Sequence, residues 1–457
     1  MQIDRFGLEV KTTDGAAIAA FEEATRAVAA HKPGAGDAIA AALVVAPDFV
    51  AAHALAGFAN VMLARSETIA AARVNLANAR LGLARVGGSA DEGSLVTALD
   101  QAARGGLAAA ANILDDRLKA RPEGFLLAKL AHALRFMTGD AMGMLTSVDG
   151  TLAALPFDHP GHGFLLGCRA FALEEMGAYD AAERLGREAV DIEPEDSWAI
   201  HAVGHVHEMT GRAADGLAWI ESRRPTWRNC NNFALHMSWH AALLHLELGR
   251  VSHALALFDE EVWPRSSDDF RDMSNAVALL ARVEQFGIDV GARWAGPAAI
   301  AEARVKDATL TFAALHNLVA LVSAGRLASA RDLVTTLSAP GTPGDEQEGV
   351  RARVGRPLAR AILNLADGGA TGVDFDGLLR ELPGVGGSNA QRDVFVRLLA
   401  RLASERHDRH ALDTVLTARR RLKRDDSFVA LARARFNASE RRPHPVAVAV
   451  EAPRLIA

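Results

Sequence analysis

The stretch GAYDAAERLGREAVDIEPEDSWAIHAVGHVHEMTGR, residues 177–212, decides the architecture. Gly177-Ala178-Tyr179 reads as a turn between two helices. Ala182 and Ala189 are small residues where two helices must approach. Pro194 ends the second helix, because it lacks an amide donor and clashes with the turn before it. Asp196-Ser197 are capping residues for the next helix, which carries Trp198 toward the core or groove. Gly204 leaves room for a neighbouring helix, and Gly211-Arg212 closes this helix and opens the next turn. The unit is a helix–turn–helix repeat of tetratricopeptide type.

Working outward, glycines interrupt the apolar periodicity at Gly139, Gly177, Gly211, Gly249, Gly287 and Gly325, at separations of 38, 34, 38, 38 and 38 residues. That is the length of one such repeat. Upstream, helices are expected over 15–31, 35–45, 49–66, 68–86, 91–104, 106–120, 123–138 and 140–154, with a loop over 155–162. Downstream, 338–349 reads as an exposed loop rich in Gly, Pro and acidic residues. Helices resume from 350 to about 437. The fold class is therefore an all-α superhelix of stacked helix pairs, tightly curved around a central pocket. It divides into N-terminal repeats (1–155), core repeats (156–337), C-terminal repeats (350–437) and an irregular tail (438–457).

Composition narrows the function classes. Half of the residues are hydrophobic and the formal net charge is −6. The one dense basic run, 419–424, has no interleaved aromatics and reads as a solvated helix face, so no nucleic-acid partner is expected. No apolar run is long enough to span a membrane, and no signal peptide is visible, so the expected location is cytoplasmic. Cys168 and Cys230 form no CxxC pair and read as free thiols.

The chemistry concentrates in histidines. His201, His205 and Glu208 share one helix face at i, i+4 and i+7. His236 and His240 repeat the i, i+4 spacing one unit later, and His316 follows two units after that. Measured from the glycine that ends each helix, His201, His205 and Glu208 lie 10, 6 and 3 residues upstream, and His236, Trp239 and His240 lie 13, 10 and 9 upstream. His316 lies 9 upstream of its own glycine. At 100° per residue these positions fit one groove-facing arc. Neutral imidazoles suit zinc, copper or iron, and an i, i+4 pair can chelate, so His201, His205, His236 and His240 are candidate ligands of a divalent transition metal. Without metal, the same residues suit acid–base work, with Glu208 and Asp272 orienting them. Trp198 and Trp239 are candidate walls of a substrate pocket. Asn275 lies near them in sequence register, and Gln391 and Arg392 stand in a glycine-rich turn suited to an anion.

The segments HAVGHVHEMTGR (201–212), HMSWHAALLHLELGR (236–250), FGIDVGARW (286–294), the region of His316 and GGSNAQRDVF (386–395) resemble the tetratricopeptide repeat protein 38 family. The resemblance spans roughly residues 160–400 and implies a closed or tightly curved helical-repeat fold. It implies no particular activity. This chain has Asn389 where that family favours histidine, and Met237-Ser238-Trp239 keeps one aromatic where the family tends to have two.

The expected function is that of an enzyme or binder acting on a small molecule through His and carboxylate chemistry, of hydrolase or lyase type and possible with metal assistance. The alternative is a scaffold that binds a peptide or partner protein in its groove.

Overall fold

The computed structural model describes residues 1–341, 344–368, 372–424 and 426–440, with the side chains of 439 and 440 left aside. Residues 441–457, where the proline-bearing tail was expected, lie outside the described residues. The helix Ser427–Glu440 carries regular structure past 437, where the irregular tail was expected to begin.

The molecule is all-α apart from a two-stranded ribbon pairing Gln2–Ile3 with Glu9–Val10. Antiparallel helix pairs follow one another along the chain, and each N-terminal helix expected from sequence is present to within a few residues. The six periodic glycines all hold left-handed backbone, φ between 70° and 81°, which only glycine adopts without steric cost.

Two kinds of helix alternate. Second helices such as Tyr179–Ile192 bury one stripe and expose the other. First helices are buried nearly all round: every residue of Ser197–Met209 is buried, and so is most of Phe233–Glu247 and Phe270–Glu284. A helix buried on every side must be covered by more than its own repeat neighbours. The cover comes from both chain ends. On one side, Arg26 pairs with Glu193 and Glu195, and the Asn231 amide donates to the His31 carbonyl at 2.8 Å. On the other, the Arg424 amide donates to the Met209 carbonyl at 2.8 Å, and Lys423 pairs with Glu247. The superhelix therefore closes on itself.

Two expectations change here. Segment 338–349 is not wholly an exposed loop. The helix Glu346–Val350 begins inside it, and the Glu346 carboxylate accepts the Ala108 and Ala109 amides at 2.8 and 3.1 Å. Its acidity serves the free amides that start the helix Leu107–Ala120. The basic run 419–424 is not simply a solvated face: Arg419 and Lys423 are buried in ion pairs to Asp393, Asp426, Glu208 and Glu247, while Arg420 and Arg421 stay exposed.

Both cysteines are free, Cys168 buried and Cys230 half-buried. Among the described residues, no helix is long and apolar enough to cross a membrane.

Candidate metal centre

Two neighbouring first helices place four imidazoles tip to tip. His201 and His205 point from Ser197–Met209, and His236 and His240 from Phe233–Glu247. The Nε2 of His201 stands 2.8 Å from that of His205, 2.9 Å from that of His236 and 3.1 Å from that of His240. The Nε2 atoms of His236 and His240 are 3.2 Å apart. All four side chains offer a nitrogen within 4.8 Å of the others.

The far side of each ring explains what these nitrogens carry. His240 Nδ1 faces the Glu208 carboxylate at 3.3 Å, and His236 Nδ1 faces Asn275 Oδ1 at 3.1 Å. His205 Nδ1 approaches the Glu174 carboxylate at 3.3 Å, an electrostatic contact out of line for a hydrogen bond. An imidazole whose Nδ1 proton faces an oxygen presents a bare lone pair at Nε2. Two such lone pairs, on His236 and His240, therefore meet His201, whose single Nε2 proton could serve one of them. The His236–His240 contact has no proton to share at all. Proton sharing leaves the His236–His240 contact unserved, whereas a cation at the centre would engage both lone pairs.

The spacing suits that cation. Four nitrogens set about 2.0–2.1 Å from a tetrahedral zinc ion stand about 3.3–3.4 Å apart. The four edges at 2.8 to 3.2 Å need to open by about half an ångström or less, and the two from His205 to His236 and His240 lie within 4.8 Å.

Electrostatics agree. Burial, reinforced by the neighbouring imidazoles, holds His201 and His236 well below the ordinary histidine value, and His240 down to about 4, so these rings are neutral and ligand-ready. Burial acts the same way on His205, but Glu174 outweighs it and the net shift is upward. Burial raises Glu174 to about 7. On Glu208 burial also acts upward, yet Lys423 and His240 more than offset it, and the carboxylate is held below its ordinary range.

Aromatic rings seal the cluster. Phe171 stacks on His201 at 5.6 Å and meets His205 edge-on at 5.5 Å, Trp198 lies 4.9 Å from His201, and Trp239 stacks on His236 at 5.3 Å. One side stays accessible. His31, His236 and Arg271 sit deep inside the ring of helices and are strongly desolvated, yet each keeps accessible surface. Of the four imidazoles, His236 is the one that keeps accessible surface, while His201, His205 and His240 are buried.

The other sequence candidates fall in two groups. Glu208, Asn275, Trp198 and Trp239 touch the four histidines. His316, Asp272, Gln391 and Arg392 do not. His316 shares the register of His240 but lies two repeats further round the curve, about 10 Å per packed helix. There it bonds the Phe312 carbonyl through Nδ1 at 2.9 Å and packs against Phe312 and Phe395. Asp272, in the first turn of its helix, accepts from Ser267 and Asn232 at 2.7 and 3.3 Å and orients no histidine. Gln391 closes a capping box with Ser388. Arg392 holds no external anion here, because Glu175 fills that role at 2.9 Å. Sequence reasoning missed Glu174 and Phe171. Both carried a signal: they lie 3 and 6 residues before Gly177, the offsets of Glu208 and His205 before Gly211.

No family model matches the chain.

Proposed function

We propose that this protein is a metalloprotein that holds one divalent transition ion, zinc the best fit, at His201, His205, His236 and His240. The observation that carries the reading is the convergence of four Nε2 atoms, two of them, on His236 and His240, backed by Nδ1 partners that leave a lone pair facing the centre. All-imidazole ligation favours zinc, copper, nickel or iron over calcium and magnesium, and a four-nitrogen cage favours zinc. Glu174, Glu208 and Asn275 act as the outer ring that orients the ligands and supplies balancing charge.

The accessible edge of His236 supports action on a small molecule, with hydrolysis or elimination as the reaction class. His236, the ligand with accessible surface, is the one a substrate oxygen or water would displace. A peptide scaffold has less support, because both chain ends cover the inner face that such a scaffold would leave open.

Metal analysis of the purified protein tests the reading. One equivalent of ion per chain is expected, lost in His205→Ala/His240→Ala and retained in His316→Ala. A wild-type protein reconstituted with zinc that still retains none after desalting would end the proposal. The outer ring makes a separate prediction. Asn275→Ala frees the His236 ring to turn, and zinc affinity should fall about 10- to 100-fold. Competition with a chromogenic chelator measures it, and an unchanged affinity would remove Asn275 from the site.

A further inference from the structure

The helix His162–Glu175 ends in two adjacent acids, Glu174 and Glu175, and both are buried. Glu174 is 0% exposed, yet neither of its carboxylate oxygens accepts a hydrogen bond among the described residues. The group it faces is just as incomplete. His205 is also 0% exposed, and its Nδ1 has no hydrogen-bond partner there. The two stand 3.3 Å apart, off the line that a shared proton needs. A protonated imidazole on a carboxylate closes in line to about 2.7–2.9 Å. An ion bound to both groups bends the path from nitrogen to oxygen instead. It leaves the oxygen to one side of the nitrogen lone pair, which is the arrangement found.

Glu175 completes a donor set. One atom each from Glu174, Glu175 and His205 lies within 4.8 Å of the other two. Glu175 is held as ligating carboxylates usually are, by hydrogen bonds from behind. Its Oε2 accepts the Arg392 guanidinium at 2.9 Å and the Asn389 amide at 3.1 Å. Its Oε1 accepts the same amide at 2.8 Å and keeps a second lone pair. Asn389 retains accessible surface, so the set lies one side chain below solvent.

We propose that Glu174, Glu175 and His205 hold a second divalent transition ion, with His205 bridging from this ion at Nδ1 to the four-histidine ion at Nε2. The proposal rests on the four-histidine reading for the bridge alone, since the two sets share only His205. Two carboxylates and an imidazole suit zinc, iron or manganese. With the first ion alone, Glu174 orients His205, and the second ion turns it into a ligand. On bridging, His205 gives its remaining ring proton to solvent. The second site has three protein donors against four, and Arg392 stands close behind it. Its ion is therefore the weaker bound, and desalting removes it.

Equilibrium dialysis of the full chain against buffered zinc tests it. Wild type should reach two equivalents per chain at saturation, the second bound more weakly than the first. Glu174→Gln keeps the size of the side chain, and should saturate at one equivalent that survives desalting. If Glu174 served only to orient His205, the substitution would weaken one site and leave the stoichiometry alone. Wild type saturating at one equivalent that Glu174→Gln retains, or Glu174→Gln saturating at two, would therefore overturn the proposal. The bridge has its own readout. In protein loaded with copper(II), the paramagnetic resonance signal of the first equivalent should fall as the second binds, because an imidazolate couples the two spins. Signals that simply add would remove the bridge. His240→Ala separates this proposal from the four-histidine reading: a single equivalent that Glu174→Gln loses and His240→Ala keeps would remove the four-histidine centre and leave the carboxylate site.

Discussion

Chelator-stripped protein should unfold about 4 kcal/mol more easily than protein held in free zinc at a thousandfold above its dissociation constant. For a cooperative chain of 457 residues, that corresponds to a melting point lower by about 4 °C. The cause is local. Without an ion, the Nε2 atoms of His201 and three other imidazoles stand 2.8 to 3.1 Å apart with too few protons between them. Of the two buried carboxylates behind His205 and His240, Glu208 keeps Lys423 as its partner, while Glu174 loses the nearby dication. The native state therefore binds the ion, while the unfolded chain has no preformed cage. Thermal melts in zinc and in excess chelator measure the difference. His205→Ala/His240→Ala should abolish it, melting at one temperature in both conditions. Identical wild-type curves would mean that the imidazoles share protons after all.

The register of the repeats explains how much of this could be read in advance. Helix pairs, turns and the shared face of His201, His205, His236 and His240 follow from glycine spacing and the 100° helical step alone. That step says nothing about how far successive inner faces rotate around the superhelix. His316 and His240 both lie 9 residues before their glycines, yet only His240 joins the cluster. Glu174 stands in a Glu-Glu pair near a helix end, where solvation is the default. It is buried against His205, while Asn389 and Arg392 of the C-terminal helices fasten the adjacent Glu175. The closure that clamps Glu175 leaves no local pattern to read, whereas the place of Glu174 three residues before its glycine, like that of Glu208, was readable.

That closure can be tested apart from the metal. Gly139→Ala should cost more than about 4 kcal/mol, in the range reserved for disrupted packing. Gly177→Ala, at the equivalent turn one repeat later, should cost only the roughly 1–2 kcal/mol of placing a side chain on left-handed backbone. Both glycines hold that backbone, at φ of 70° and 80°. They differ in what a Cβ would meet. At Gly177 the space is open, whereas at Gly139 the Cβ would fall inside the Pro383 carbonyl group. Pro383 belongs to the short helix Leu382–Val385, which docks the C-terminal repeats on the end of Phe125–Thr138, and the Gly387 amide completes the junction on the Phe136 carbonyl at 3.2 Å. Neither group is the flexible tip of a side chain, so the two backbones must separate. Separation would loosen the Asn389 and Arg392 clamp on Glu175, and with it the position of Glu174 behind His205. Gly139→Ala should therefore show faster amide exchange at Gly387 and Asn389, and weaker zinc binding, where Gly177→Ala shows neither. Equal stability losses in denaturant melts of the two variants would mean that the ring of helices does not depend on this contact to stay shut.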